Sequence, residues 1–151
     1  VINYLKKLSQ QKLIFSKGAT GSMTLLAAGE YPIAIGANLH RILIMASQGL
    51  PVGFVPISPA AHQSMSPISV PKSAPHPNAA KLFIRWWISP EGQAKNDEIR
   101  FKGNPLPGSG TSQSKILEKY NVKVFSQTEW VNDNYERLEK LYQNAVGFLG
   151  K

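Results

Sequence analysis

YPIAIGANLHRILIMASQGLPVGFV, Tyr31 to Val55, is the stretch that decides the fold class. Pro32 opens an apolar run, Ile33-Ala34-Ile35, with no polar alternation, the pattern of a strand covered on both faces. Asn38 stands at an N-cap position, Leu39, Ile42, Leu43 and Ala46 recur at helical spacing to give an inner face, and Gly49 supplies the stop. Val52-Gly53-Phe54-Val55 is then a further buried strand. Upstream, Leu13-Ile14-Phe15 has the same uninterrupted apolar character. It is broken by Ser16 to Gly21 and followed by a short helix that Thr20 or Ser22 would cap, with Met23, Leu26 and Ala27 inward and Gly29 closing it. Three apolar runs joined by two helical patterns with short connections predict an α/β fold. Its parallel β-α-β sheet would have helices on both faces, because each helix returns the chain to the same sheet edge.

Outward from this core the chain is helical at both ends. Ile2, Leu5 and Leu8 predict a helix ending near Gln10. Pro56 to Pro75 is rich in Pro, Ser and Ala, with Ile68-Ser69-Val70 as a candidate extended crossing strand. Pro77 fits the first position of a helix that places Ala79, Leu82, Phe83 and Trp86 on one face, a sharing that favours core packing for Trp86. An aromatic platform with Trp87 is the alternative. Ser89 as cap, Pro90 at the first position and Glu91 in the first turn start another helix at once. Gly103 to Ser114 is a turn-rich linker and a candidate boundary. Ser126 and Glu129 have capping-box spacing, and Val131, Tyr135, Leu138, Tyr142 and Ala145 give the last helix its apolar stripe.

At 151 residues and 42% hydrophobic content the chain suits one ordinary globular domain. No stretch approaches the roughly 20 apolar residues of a membrane span. The start at Val1, without initiator Met or signal peptide, suggests an upstream segment. Cysteine is absent, which excludes disulfides and thiolate metal sites. The net charge of +8 is uneven: Val1 to Pro90 has eight Lys or Arg against the single acid Glu30, whereas from Glu91 onward nine bases meet eight acids. Any positive field belongs to the first part and favours anionic partners. The bases are scattered singly apart from Lys6-Lys7, with no aromatic-interleaved basic strand, so nucleic acid is not the expected partner.

Ligands of an open parallel sheet bind beyond the carboxyl ends of its strands. That rule selects Ser16, Lys17, Gly18, Ala19 and Thr20, then Gly36 to Arg41 with Asn38, His40 and Arg41, and finally Pro56 to Pro59. Two of these loops open helices, where an anion gains roughly 0.3 to 1 kcal/mol from the helix-end field, and about 2 when partly buried. Ser16, Thr20, Ser22 and Asn38 have the competing reading of simple caps, and His40 and Arg41 that of solvated surface. Catalytic templates fail: there is no G-x-S-x-G elbow, no H-E-x-x-H and no paired carboxylates at the strand ends. His40, His62 and His76 lack metal-ligand spacing, and neither Gly18-Ala19-Thr20-Gly21-Ser22 nor Gly108-Ser109-Gly110-Thr111 has the Lys of a P-loop. No metal or cofactor is expected.

Three segments resemble those of the extracytoplasmic solute-binding proteins of ABC importers. Gly29-Glu30-Tyr31-Pro32-Ile33-Ala34-Ile35 is similar to a strand entry of that family, and Gly49-Leu50-Pro51-Val52 to its intervening turn. Pro71-Lys72-Ser73-Ala74-Pro75-His76-Pro77-Asn78-Ala79-Ala80-Lys81-Leu82-Phe83-Ile84, followed by Ser89-Pro90-Glu91-Gly92-Gln93, closely resembles its most specific stretch. The resemblance spans about Leu13 to Pro107 and is nearest to the C-terminal half of the type II periplasmic-binding fold, in the branch of the ferric-iron-binding proteins. It implies a non-enzymatic periplasmic or extracellular, membrane-anchored bacterial receptor. Its partners would be a small ligand, a permease and an N-terminal lobe of the same protein, and it would work by lobe closure. Residues 1–66 would belong to the second lobe, 67–106 to the first, and 107–151 would be the linker and helices returning to the second. Ferric members have adjacent tyrosines after the strand matching Ile33 to Ile35. Here Asn38-Leu39-His40-Arg41 stands instead, which favours an organic anion. Two other readings remain: an enzyme of the thiamine-pathway type on the same two-lobed fold, and a basic nucleic-acid-binding module.

Overall fold

The apolar spacing of Ile2, Leu5 and Leu8 becomes helix α1 (Ile2–Ser9) in a computed structural model of the protein, which describes residues 2–16, 18–57, 61–63, 66–126 and 128–147. Lys6 and Lys7 lie in its last turn, where cations face the negative end of the helix dipole, and the Ser9 hydroxyl donates to the Lys6 carbonyl at 2.8 Å. The chain divides into two compact units, one of Val1–Ser16 with Ser126–Lys151 and one of Lys17–Phe125. In the first unit α1 packs on the last helix, α8 (Tyr135–Val146), which buries Ala145 and Val146. The tail is two helices rather than one. α7 (Glu129–Asp133) is capped by Thr128, whose hydroxyl accepts from the Val131 amide at 3.4 Å, so the expected cap at Ser126 is not used. Of the expected stripe, Val131 and Leu138 are half-buried and Ala145 buried, but Tyr135 and Tyr142 are exposed, so within α8 the buried face lies to the Leu138 and Ala145 side.

In the second unit α2 (Gly18–Ala27) packs on α3 (Leu39–Ser47), and each has one buried apolar side chain, Met23 and Ile42. Both helices end in the same way. The Glu30 amide reaches back to the Leu25 carbonyl and the Leu50 amide to the Met45 carbonyl, across Gly29 and Gly49 at φ +77° and +79°. α2 begins earlier than the hydroxyl-cap reading placed it. Thr20 and Ser22 therefore lie inside the helix, where Ser22 donates to the Gly18 carbonyl at 3.4 Å and Thr24 to that of Thr20 at 3.1 Å.

The expected parallel β-α-β sheet is not formed. Leu13–Phe15, Ile33–Ile35 and Val52–Val55 are non-helical, yet none enters a ladder, and the same holds for Ile68–Val70. Parallel strands owe their stability to covered faces and to neighbours on both edges. Ile14 is instead 63% exposed, Ile33 76% and Val55 83%. Among the described residues the only sheet is a two-stranded pairing of β1 (Ala61–Gln63) with β2 (Val124–Ser126), in segments where no strand was expected.

The remainder of the unit is built on a helix corner. α4 (Pro77–Trp87) has Pro at its first position, and α5 (Pro90–Arg100) restarts after only two residues. Ser89 caps α5 as expected, accepting from the Gly92 amide at 3.2 Å while donating to the Trp86 carbonyl at 2.6 Å. The Gln93 side-chain amide donates to the Trp87 carbonyl at 2.8 Å. Phe83, Trp86 and Trp87 cluster with ring centroids 5.7 to 6.1 Å apart; both tryptophans are half-buried, while Leu82 and Phe83 of the presumed inner face are exposed. Gly103 to Ser114 is a linker by composition only. Asp97 accepts from the Ser112 amide and hydroxyl at 2.7 and 2.8 Å, and Thr111 caps α6 (Ser112–Lys119) through the Ser114 amide at 3.3 Å. The Ser114 hydroxyl and the Gly108 amide both donate to Glu118, at 2.7 and 2.8 Å.

The corner admits no side chain at Gly92, since a Cβ there would stand 2.2 Å from the Trp86 carbonyl oxygen and 2.8 Å from backbone atoms of Trp87. Backbone cannot yield as a flexible side chain can. Gly92→Ala is expected to cost about 3 kcal/mol of unfolding free energy despite the better helix propensity of alanine. Gly53→Ala, at a site with open space around it, should stay within about 1 kcal/mol of the parent; urea denaturation of the two variants compares them directly.

Candidate functional site

The three loops expected to hold a ligand fare differently. In the first, Ser16 is half-buried, Lys17 lies outside the described residues, and Gly18, at φ +69°, opens α2 with Ala19 half-buried and Thr20 exposed behind it. In the second, Asn38 occupies the N-cap of α3 with an extended backbone. Its carbonyl accepts from the Arg41 and Ile42 amides at 3.0 and 3.3 Å, but its side chain makes no capping bond. The third, Pro56 to Pro59, falls partly outside the described residues, and its visible Ile57 is exposed. α2 and α3, the helices that follow the first two loops, pack on each other.

The richest chemistry gathers around His40. Its imidazole is half-buried in the first turn of α3, and the charges of Lys102, Arg41 and Arg100 all reach it. Arg41 comes from the same turn, exposed to solvent. Arg100 ends α5 and Lys102 follows it, so two elements distant in sequence direct cations at one ring. The sequence expectation named His40 and Arg41 and did not name Arg100 or Lys102. Their only signal was the start at Ser89-Pro90-Glu91, which fixes where α5 begins but not which helix its far end approaches.

That far end is held by several bonds. Phe101 caps α5 in the left-handed conformation, φ 51°, which costs a non-glycine residue roughly 1 kcal/mol and persists only where neighbours over-determine it. Here the Phe101 amide donates to the Asp97 carbonyl at 2.8 Å, the Gln113 side chain donates to the Phe101 carbonyl at 2.6 Å, and the Gly103 amide donates to Asp97 at 3.4 Å. Asn96, buried, donates its side-chain amide to the Lys102 carbonyl, and its own Oδ1 is buried without a hydrogen-bond partner. Gly103 is packed so closely that a Cβ would lie 2.6 Å from Thr111 and 2.8 Å from the Asp97 side chain.

Compared with protein-family models, residues 1–121 match that of the bacterial extracellular solute-binding proteins. The chain belongs to that family. No curated protein and no solved structure matches it. As a solute-binding protein it serves transport by holding a small molecule for transport partners, outside the bacterial cytoplasm, in a family that is generally non-enzymatic. Among the described residues no helix is long and apolar enough to cross a membrane, and no three His, Asp or Glu side chains gather as metal ligands.

For this solute-binding protein the basic corner has a definite proton state. The His40 pKa is lowered from the ordinary 6.5, first by burial and then by Lys102, Arg41 and Arg100, so the ring is neutral at physiological pH and resists a further positive charge. In the unfolded chain the ring protonates more readily. The stability it contributes is therefore fully present above pH 6.5 and declines as pH falls through 6.5 toward the lowered value. Glu118 is displaced in the other window: the Gly108 amide and the Ser114 hydroxyl hold its carboxyl below the usual 4.5, so its contribution is lost only in stronger acid. Urea midpoints taken from pH 7.5 to 5 should fall across the histidine window in the parent. His40→Gln should flatten that decline, and an unchanged slope in the variant would place the titration elsewhere.

Proposed function

We propose that the protein captures a small anionic solute at the basic corner around His40 and delivers it to the permease of an ABC importer. The chain is the C-terminal half of a receptor with the type II periplasmic-binding fold, and lobe closure over the solute is the mechanism. Residues 1–66 form the second lobe, 67–106 contribute the crossing segment and helices of the first, and 107–151 return to the second. The apolar segments Leu13–Phe15, Ile33–Ile35 and Val52–Val55 support this reading, since strands of this composition are stable only between neighbours that an N-terminal lobe would supply. Asn38-Leu39-His40-Arg41 stands where ferric members place adjacent tyrosines, and a neutral imidazole among cations suits a carboxylate or phosphate-like group better than iron.

The reading is supported by the positive charges of Lys102, Arg41 and Arg100, all of which disfavour protonation of the half-buried His40, and by the place of that ring in the first turn of a nine-residue helix. An anion there gains charge-assisted hydrogen bonds together with the helix-end field. Gly18, Ala19 and Thr20, at the start of the neighbouring helix α2, contribute a further part of the same wall. Because the bound anion offsets the three cations, it raises the affinity of His40 for a proton, and binding strengthens as pH falls from 7.5 to 6.

Calorimetric titration of the protein with succinate, inorganic phosphate and an alkyl sulfonate tests this. At least one should bind with one-to-one stoichiometry, and Arg41→Ala should weaken it about ten- to a hundredfold, the value of one charge-assisted bond. Lys115→Ala, an exposed cation on α6, should leave the affinity within about twofold and so separates a contact from the general field. Titrations that respond equally to the two substitutions would sink the reading.

A further inference from the structure

The second unit has a small groove of about 190 Å³ between the Pro105–Pro107 segment and the last turn of α6. Pro105, Pro107, Leu117, Val122 and Val124 give it apolar walls, Glu118 is its one charged member, and Asn121 is the other polar one. Both sides are fixed. The Ser109 and Thr111 hydroxyls donate to the Asn104 carbonyl, each at 2.5 Å, and the Leu106 amide donates to the Asn104 side chain at 3.1 Å, which holds the two prolines in a closed turn. Opposite them, Asn121 takes the left-handed conformation at φ 48° and the Val122 amide returns to the Leu117 carbonyl at 2.9 Å, closing the end of α6.

Glu118 uses one oxygen of its carboxylate twice: Oε1 accepts from the Gly108 amide at 2.8 Å and from the Ser114 hydroxyl at 2.7 Å. Those two bonds fix the direction of the group and keep it ionised at neutral pH. Among the described residues Oε2 accepts no hydrogen bond and Glu118 enters no ion pair. Lys119, next to it in sequence, holds its ammonium over the Tyr120 ring, 5.4 Å from the centroid. The groove also lies at the C-terminal end of α6, where the partial negative charge of the helix favours a cation. We propose that this groove binds a short aliphatic primary ammonium ion, with the ammonium on Oε2 of Glu118 and the hydrocarbon chain between Pro105, Pro107, Leu117 and Val122. Its volume admits roughly five or six non-hydrogen atoms, so it takes a butylammonium-sized molecule and not a larger solute. An alcohol of the same length fills the walls but brings no charge to the carboxylate, and an anion is repelled by it. The site takes the opposite charge to the basic corner around His40 and does not depend on that reading.

The test is an NMR titration of the whole chain with n-butylammonium chloride at constant ionic strength, repeated with 1-butanol and in Glu118→Gln, which keeps an acceptor oxygen for Gly108 and Ser114 but removes the charge. In the parent, the amide shifts of Gly108, Val122 and Val124 are expected to move and to saturate with one-to-one stoichiometry. Glu118→Gln should weaken n-butylammonium about tenfold or more, the value of one charge-assisted bond, and 1-butanol should bind the parent weaker by a similar factor. Shifts that rise without saturation, or an affinity that Glu118→Gln leaves unchanged, would overturn the inference. If the variant fails to fold, the parent decides alone: equal affinity for n-butylammonium and 1-butanol overturns the assignment of an ammonium ion. Tighter binding of Nα-acetyl-lysine amide than of n-butylammonium would give the groove to a lysine side chain of another protein and overturn the free amine as its occupant.

Discussion

The Ser89 hydroxyl donates to the Trp86 carbonyl and accepts from the Gly92 amide, so one side chain ends α4 and begins α5. Such a tight junction requires a residue without a Cβ at Gly92, because the first turn of α5 runs directly against the backbone of Trp86 and Trp87. From this junction the direction of α5 follows, and from that direction the place where Arg100 and Lys102 emerge. Asp97, one helical turn before the end, then ties the returning chain down through Ser112 and Gly103. The basic corner is the outcome of a steric constraint at one end of an eleven-residue helix and a polar one at the other.

Electrostatically, the charges that act on His40 are dominated by cations. The charges named around His40 are all positive, and the ring answers by staying neutral rather than by pairing. Elsewhere the protein balances charge locally, as in the Lys95 to Glu98 ion pair at 2.6 Å on the same helix. On the proposed anion-binding reading, cations that cost little while exposed to water would bind strongly once a solute excluded it.

The apolar segments tell a related story about burial. Leu13–Phe15, Ile33–Ile35 and Val52–Val55 have compositions suited to a sheet interior, and all three are extended or irregular here with Ile14, Ile33, Ile35 and Val55 exposed. Composition states what environment a segment is adapted to; pairing requires the neighbour to be present. Helices need no such neighbour, since their backbone bonds are internal. That difference accounts for α1, α3, α4 and α5 appearing near their expected bounds while the expected strands do not.

Local chemistry therefore determined a good deal from sequence alone. Pro77 and Ser89-Pro90-Glu91 set two helix starts, Gly29 and Gly49 set two helix ends, and Asn38 set the beginning of α3, because each acts within a single turn of chain. The family was legible as well, in segments whose physical work is to start and pack those helices. Of the proposed site, His40 and Arg41 were named from the expectation that ligands meet strand ends and helix starts. The other half was decided only in three dimensions. The charges of Arg100 and Lys102 act on His40 only in the folded chain, where a sterically fixed junction aims α5 and a left-handed turn at Phe101 redirects the chain, and no spacing in the sequence encodes that.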